Sequence, residues 1–364
     1  MTSEQNRHPI ATRDARFEAV EPPGCRLCGG EVAFALRARD RTRSNTALHD
    51  YVACVACGSL QLERLPADPE RAYGPTYYTR QQRLPATRVG GWLGWRRVRA
   101  RFVLWAARRP SLRPFARAVA GRRYGRFEWF VQTATRLDDP ILDVGCGSGR
   151  LLLRMAGDGF RCLVGIDPAL SEETLARVAG RPGLRFERAG PEGHAGTYHL
   201  VMAHHSFEHM LAPQRAFAAM AARVAPGGWL LLRVPLAEGE AFERDGAEWA
   251  QLDAPRHLQI PTRRAVERLA REQGLVVARI VDDSGPFQLL GSGRARHAGL
   301  AAWGPLRALV ARWRARALRR AARGDQAAFY LRRPEAPRSD GVQRGDAPQR
   351  PGPPHAGPTR ARLT

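Results

Sequence analysis

The stretch from Pro140 to Leu236 constrains the fold more than any other part of this 364-residue chain. Short apolar runs (PILDVGCG, RCLVGIDP, LRFERAG, YHLVMAHHS, WLLLRVP) alternate there with segments of helical periodicity. Strands that alternate with helices build βαβ units, hence an α/β fold around a parallel sheet. Asp143 to Gly149, DVGCGSG, falls where a strand passes into a helix. Glycines at 145, 147 and 149 let the backbone turn tightly and come close to a ligand. A second run, LVGID, ends in Asp167, a carboxylate able to accept both hydroxyls of an adenosyl ribose.

Together ILDVGCGSG, VGID, YHLVMAHHSFEHM and APGGWLLLRVP resemble the class I S-adenosylmethionine-dependent methyltransferases over residues 138–333. The resemblance implies a Rossmann-like seven-stranded sheet of order 3-2-1-4-5-7-6, with S-adenosylmethionine as methyl donor. It places Asp143, Gly145, Gly147 and Gly149 against the methionine and ribose portion and Asp167 on the ribose diol. An NAD-binding Rossmann domain is the alternative for a glycine loop, but the EH and PGG motifs do not suit it. Two positions depart from the family pattern. FERAG lacks an adenine-side Asp, leaving Glu187 or the Ala189 backbone to serve, and His199 stands where an Asp is usual.

Cys25 and Cys28, then Cys54 and Cys57, form two CxxC pairs separated by 25 residues. Such spacing suits one structural zinc ion in a small ribbon. A ribbon of this size has little core, so metal would supply folding free energy on the order of 10 kcal/mol. A ribbon ahead of a class I domain, joined by the aromatic loop AYGPTYY, resembles bacterial sugar- and glycan-associated methyltransferases, including nucleotide-sugar C-methyltransferases. By that analogy the acceptor is a small molecule or glycan bearing hydroxyls. Tyr77 and Tyr78 would stack on it, donate a hydroxyl hydrogen bond, or simply pack.

Methyl transfer requires an aligned nucleophile and a group to take its proton. His204, His205, Glu208 and His209 crowd the loop after the fourth strand of the sheet. His205, Glu208 and His209, spaced i, i+3, i+4, would share one face of a helical turn, a spacing that resembles quinone-biosynthetic O-methyltransferases with a divalent ion near an EH pair. The segment AEWAQLDAPRHLQIPT resembles the family's acceptor loop. His257 is therefore the preferred base, with His209 and His205 the other catalytic candidates and Glu208 a substrate-binding one. Arg256 is expected to hold a phosphate or carboxylate, or else to pair with Asp253.

Formal net charge is +23, and every basic side chain other than histidine is Arg. Residues 83–127 and 286–324 carry most of that excess and contain no Asp or Glu. Within them Trp95, Val98, Phe102 and Trp105, and again Trp303, Leu306, Val310 and Trp313, form amphipathic helical stripes. The stripes suit an anionic membrane surface, internal docking, or RNA. The expected organisation is a disordered N-terminus (1–20), ribbon and aromatic loop (21–82), basic helical segment (83–127), methyltransferase domain (128–333) with a basic helical insertion (286–324), and a disordered tail (334–364). With no signal peptide and no apolar span, the expected location is the cytoplasm, peripheral to the inner face of the membrane. The function expected is methyl transfer to a small hydroxylated acceptor through a His base. An RNA methyltransferase and a non-catalytic S-adenosylmethionine-binding scaffold are the alternatives.

Overall fold

The computed structural model describes residues 24–40, 47–66, 92–121, 124–285 and 304–335. The ribbon region contributes β1 (Val32–Arg39), β2 (Leu48–Cys54) and β3 (Leu60–Leu62). Helices α1 (Trp92–Ala107), α2 (Arg113–Ala120) and α3 (Tyr124–Gln132) follow. Then come β4 (Ile141–Val144), α4 (Arg150–Asp158), β5 (Leu163–Ile166), α5 (Glu172–Val178), β6 (Leu184–Glu187), β7 (Tyr198–His204), α6 (Pro213–Ala222) and β8 (Val224–Pro235). The chain continues through α7 (Glu240–Asp245), β9 (Gln259–Ile260), α8 (Arg263–Glu272), β10 (Val276–Asp282), α9 (Gly304–Arg320) and β11 (Gln326–Arg332).

The large sheet runs β10-β11-β8-β7-β4-β5-β6. Counted along the sheet domain alone, this is the order 3-2-1-4-5-7-6 that the family resemblance implies. The strands from β6 to β8 are parallel, whereas β11 lies antiparallel to both β8 and β10. Helices cover both faces, so successive residues of one strand enter opposite cores: Leu230, Leu232 and Val234 on one side, Leu231 on the other. Helices α1 to α4 pack on the second side. Arg96 and Arg126 fix α1 and α3 to α4 through the buried Asp158, at 3.0 and 2.9 Å.

The ribbon sheet is not closed by ribbon residues alone. Its order is β1-β2-β3-β9, so its fourth strand is Gln259–Ile260 from the acceptor loop, far along the chain from β3. The ribbon expected from residues 21–82 is thus joined to the sheet domain by a shared strand, and the described residues up to Pro334 belong to one compact unit.

Helix α1 does not use its aromatic stripe for internal docking. Ala100, Val103, Leu104, Ala106 and Ala107 dock on the core, while Trp95, Val98 and Trp105 on the opposite side stay exposed. The small and aliphatic residues let the helix approach closely, so the aromatic stripe is not the docking face. Tyr77, Tyr78, Trp303, the aromatic loop, the expected disordered N-terminus and residues 336–364 of the expected tail lie outside the described residues. No helix among the described residues is long and apolar enough to cross a membrane.

Candidate active site

The glycine loop links β4 to α4 at the carboxyl end of the sheet, where open α/β sheets bind ligands. All three glycines adopt positive φ (73°, 54° and 69°). A Cβ on Gly145 would lie 2.3 Å from Ser206 Cβ, and one on Gly149 would lie 2.5 Å from the Phe186 ring. Gly147 faces open space. The outer glycines thus serve close packing, and the middle one leaves the cradle clear. Asp167, just past β5, accepts the Gly147 N–H at 2.9 Å and the Ala169 N–H at 2.8 Å. Asp143 is buried beside it; that burial, with the neighbouring Asp167 charge, pushes its carboxyl up to about 7. A bare glycine cradle between two carboxylates fits a ligand that carries both a ribose diol and positive charge.

Both departures from the family pattern have structural partners. Glu187 Oε2 is 2.8 Å from His194 Nδ1, and its Oε1 is 2.8 Å from Arg185. The His194 Nε2 lies 2.8 Å from the Tyr198 hydroxyl, which completes a chain between β6 and β7. His199 Nε2 donates to the Thr133 carbonyl at 3.0 Å and so ties β7 to the end of α3.

Beyond β7 the chain does not enter a regular helix at once. His205 has φ 52°, a strained value for a residue with a side chain, and Phe207–His209 make a single 3-10 turn before α6 begins at Pro213. The shared helical face expected for His205, Glu208 and His209 is therefore replaced by a tighter arrangement. Glu208 is fully buried, and among the described residues its carboxylate oxygens make no well-formed hydrogen bond. His205 Nδ1 approaches Oε1 at 3.3 Å and His257 Nε2 at 4.0 Å. Burial alone would raise the Glu208 pKa, but the surrounding His205, His257 and His209 outweigh it and hold the carboxyl down at about 2.

His257 reaches Glu208 from the acceptor loop, with the rings of His209 and His257 packed edge to face at 4.7 Å. Its Nδ1 lies 2.7 Å from the Gln251 carbonyl, which can only accept, so Nδ1 carries the proton and Nε2 presents its lone pair to Glu208. Burial, reinforced by His209, pushes His257 down to about 4, so the ring is neutral at pH 7. Ligand atoms of Glu208, His209 and His257 all lie within 4.8 Å of one another. His204 points elsewhere: it stacks on Trp129 at 4.3 Å, and burial drives its pKa well below the ordinary histidine value.

A family model described as a methyltransferase domain matches residues 99–280, half of the chain. The chain belongs to this methyltransferase-domain family. It is 31% identical over 166 residues to the ubiquinone biosynthesis O-methyltransferase of Thiobacillus denitrificans, covering 41% of this chain and 70% of that protein. It is 38% identical over 113 residues to the enzyme of the same name from Bordetella avium, covering 29% and 46% respectively. The chain thus spans about half the length of the Bordetella relative. Among solved structures, an S-adenosylmethionine-dependent methyltransferase from Mesorhizobium loti aligns at 19% identity with a TM-score of 0.38, covering 54% of this chain and 91% of that one.

In this member of the methyltransferase-domain family the ribbon braces the loop that carries His257. Arg26 donates to the carbonyls of Leu258, at 2.7 Å, and Leu62. The Tyr51 hydroxyl donates to the His257 carbonyl at 2.9 Å, and the Thr262 hydroxyl to the Cys57 carbonyl at 2.6 Å. Arg256 does not present its guanidinium to an acceptor anion. It is buried between Asp40 and Asp253, at 3.0 and 2.7 Å, so the expected anion-binding role gives way to an internal ion-pair network. Sequence reasoning missed Asp40, Tyr51 and Arg26, since nothing in a ribbon strand signals contact with a loop so far along the chain.

The four ribbon thiols converge, all within 4.8 Å, with Cys25–Cys57 and Cys28–Cys54 Sγ separations of 3.7 and 3.4 Å. Four ligands at the usual Zn–S length of about 2.3 Å would sit about 3.8 Å apart. The donor set fits a closed tetrahedral zinc site with no position left for water.

Proposed function

We propose that this methyltransferase moves a methyl group to a hydroxyl oxygen of a small acceptor, of sugar or glycan type, with His257 taking the hydroxyl proton. The observation that carries the reading is the 4.0 Å approach of His257 Nε2 to Glu208 Oε1. Both are proton acceptors, and an acceptor O–H entering beside them would supply the missing donor. The donor, when bound, supplies a methyl group on a positively charged sulfur. As the new O–CH₃ bond forms and the S–CH₃ bond breaks, the proton passes to Nε2. The Glu208 carboxylate then stabilises the imidazolium, which burial would otherwise disfavour. The relatives named as O-methyltransferases support oxygen as the nucleophile. The resemblance of the ribbon and aromatic loop supports the sugar class, with Tyr77 and Tyr78 assigned to its face.

In a second reading the compact set of Glu208, His209 and His257 holds a divalent cation. The cation would lower the pKa of the acceptor hydroxyl. Zinc at Cys25, Cys28, Cys54 and Cys57 belongs to both readings as a structural ion.

The deciding experiment supplies labelled donor with nucleotide sugars, oligosaccharides, hydroxylated aromatics or RNA, with and without a chelator too weak to strip zinc from four thiolates. Alkali-stable label on a sugar hydroxyl, unaffected by chelation, is the expected result. Chelator-sensitive transfer favours the cation. Label confined to RNA, or donor binding without transfer to any acceptor, would overturn the reading.

A further inference from the structure

Helix α1 is packed by the side opposite to its most apolar stripe. Its inner side is buried through Ala100, Val103, Leu104 and Ala107, yet Trp95 remains 62% exposed, Val98 57% and Trp105 47%. Phe115 on α2 adds another ring at 58% exposure. Phe102 joins these into one patch: its ring meets Phe115 edge-on at 5.5 Å and lies 6.0 Å from Trp105. Four large apolar side chains left in water around one helix pair exceed the scattered exposure normal for a soluble surface.

The charge around the patch has one sign. Arg97, Arg101, Arg109, Arg113 and Arg117 are exposed on α1, α2 and the turn that joins them, and Arg109 lies over the Trp105 ring at 4.2 Å. No Asp or Glu occurs between residues 83 and 127. Asp158 on α4, which ion-pairs with this region, is buried and already paired with Arg96 and Arg126. Helix α9 repeats the division, with Ala311, Ala315 and Leu318 inward and Leu309, Val310 and Trp313 outward.

We propose that the Trp95–Val98–Phe102–Trp105–Phe115 face is a docking surface for an anionic lipid bilayer. Tryptophans set the depth of insertion at the headgroup level, the other apolar groups enter the acyl boundary, and the arginines meet lipid phosphates. Charge decides against a second copy of the chain, because two arginine-ringed patches brought face to face repel. It likewise disfavours a basic protein surface. The proposal is independent of the acceptor's identity.

The test is co-flotation of the full chain at low salt with phosphatidylcholine vesicles, with and without phosphatidylglycerol. Wild type is expected to float only with the anionic vesicles. The Trp95→Ser/Trp105→Ser double variant should lose binding by about tenfold or more while retaining donor binding, which shows that the fold is intact. Arg97→Glu/Arg101→Glu should lose it by a similar factor. Three results would overturn the proposal: no flotation of the wild type, undiminished flotation of the tryptophan variant, or a wild-type dimer that the tryptophan changes convert to monomer. Binding to RNA that survives the tryptophan changes, without vesicle binding, would reassign the arginines to nucleic acid.

Discussion

The guanidinium of Arg256, on the acceptor loop, is gripped by both carboxylate oxygens of Asp40 at the end of β1, at 3.0 and 3.1 Å, with both side chains buried. One strand of the ribbon is thereby fastened to the residue preceding His257. Removing one partner of a buried pair leaves the other charge desolvated, which costs about 3–5 kcal/mol. Because Arg256 retains Asp253, Asp40→Ala should fall at the low end, about 3 kcal/mol by chemical denaturation. Its turnover should fall more than its donor affinity. Equal stability in variant and wild type would remove the strut.

Asp167 holds the Gly147 N–H and is assigned to the donor ribose. Charge-assisted hydrogen bonds are worth about 1.5–3 kcal/mol, so Asp167→Ala should weaken donor binding by roughly 2 kcal/mol. Titration calorimetry reads this directly. Unaltered affinity would place the donor elsewhere.

If His257 takes the acceptor proton, His257→Ala should reduce turnover by about 100-fold with little change in donor affinity. Glu208→Gln, which keeps the shape but removes the negative charge, should also slow the reaction. A fully active His257→Ala enzyme would transfer the role to the His205–His209 loop.

Purified protein should contain about one zinc per chain, measured by atomic emission. Cys54→Ser should release it and loosen the ribbon. Since β3 pairs with β9, hydrogen exchange should rise at Gln259 and Ile260 as well, while β4 to β8 stay protected. Protection of β9 unchanged by metal loss would show that the two units are uncoupled.

Asp143 and His257 impose opposite pH dependences. Burial raises Asp143 to about 7 from an ordinary 3.8, so the folded chain binds more protons than the unfolded one between those values. Its contribution to stability therefore declines as pH rises through that window. Burial lowers His257 to about 4 from 6.5, and its contribution is lost as pH falls through that range. Asp143→Asn removes the first slope and leaves the second. Thermal unfolding of the variant should show stability rising more steeply than wild type from about pH 4 to 6.5. A profile that superimposes on wild type would mean that Asp143 titrates normally.

The sheet domain was legible in the sequence because its signals are local. Strand and helix periodicities, the DVGCGSG loop and Asp167 each lie within one βα unit, and the strand order followed from the family resemblance that these motifs carry. The CxxC pairs were legible for the same reason, since two ligands three residues apart already specify half of a tetrahedral site. The acceptor side depended on contacts between residues far apart in the chain. Only the tertiary structure could bring His257 to Glu208, commit Arg256 to Asp40, and complete the ribbon with Gln259–Ile260. Tertiary packing also chose the face of α1. Periodicity marks Trp95, Val98, Phe102 and Trp105 as one stripe, but close approach to the core favoured the Ala100–Val103–Leu104–Ala107 side, because small residues fill the interface without voids.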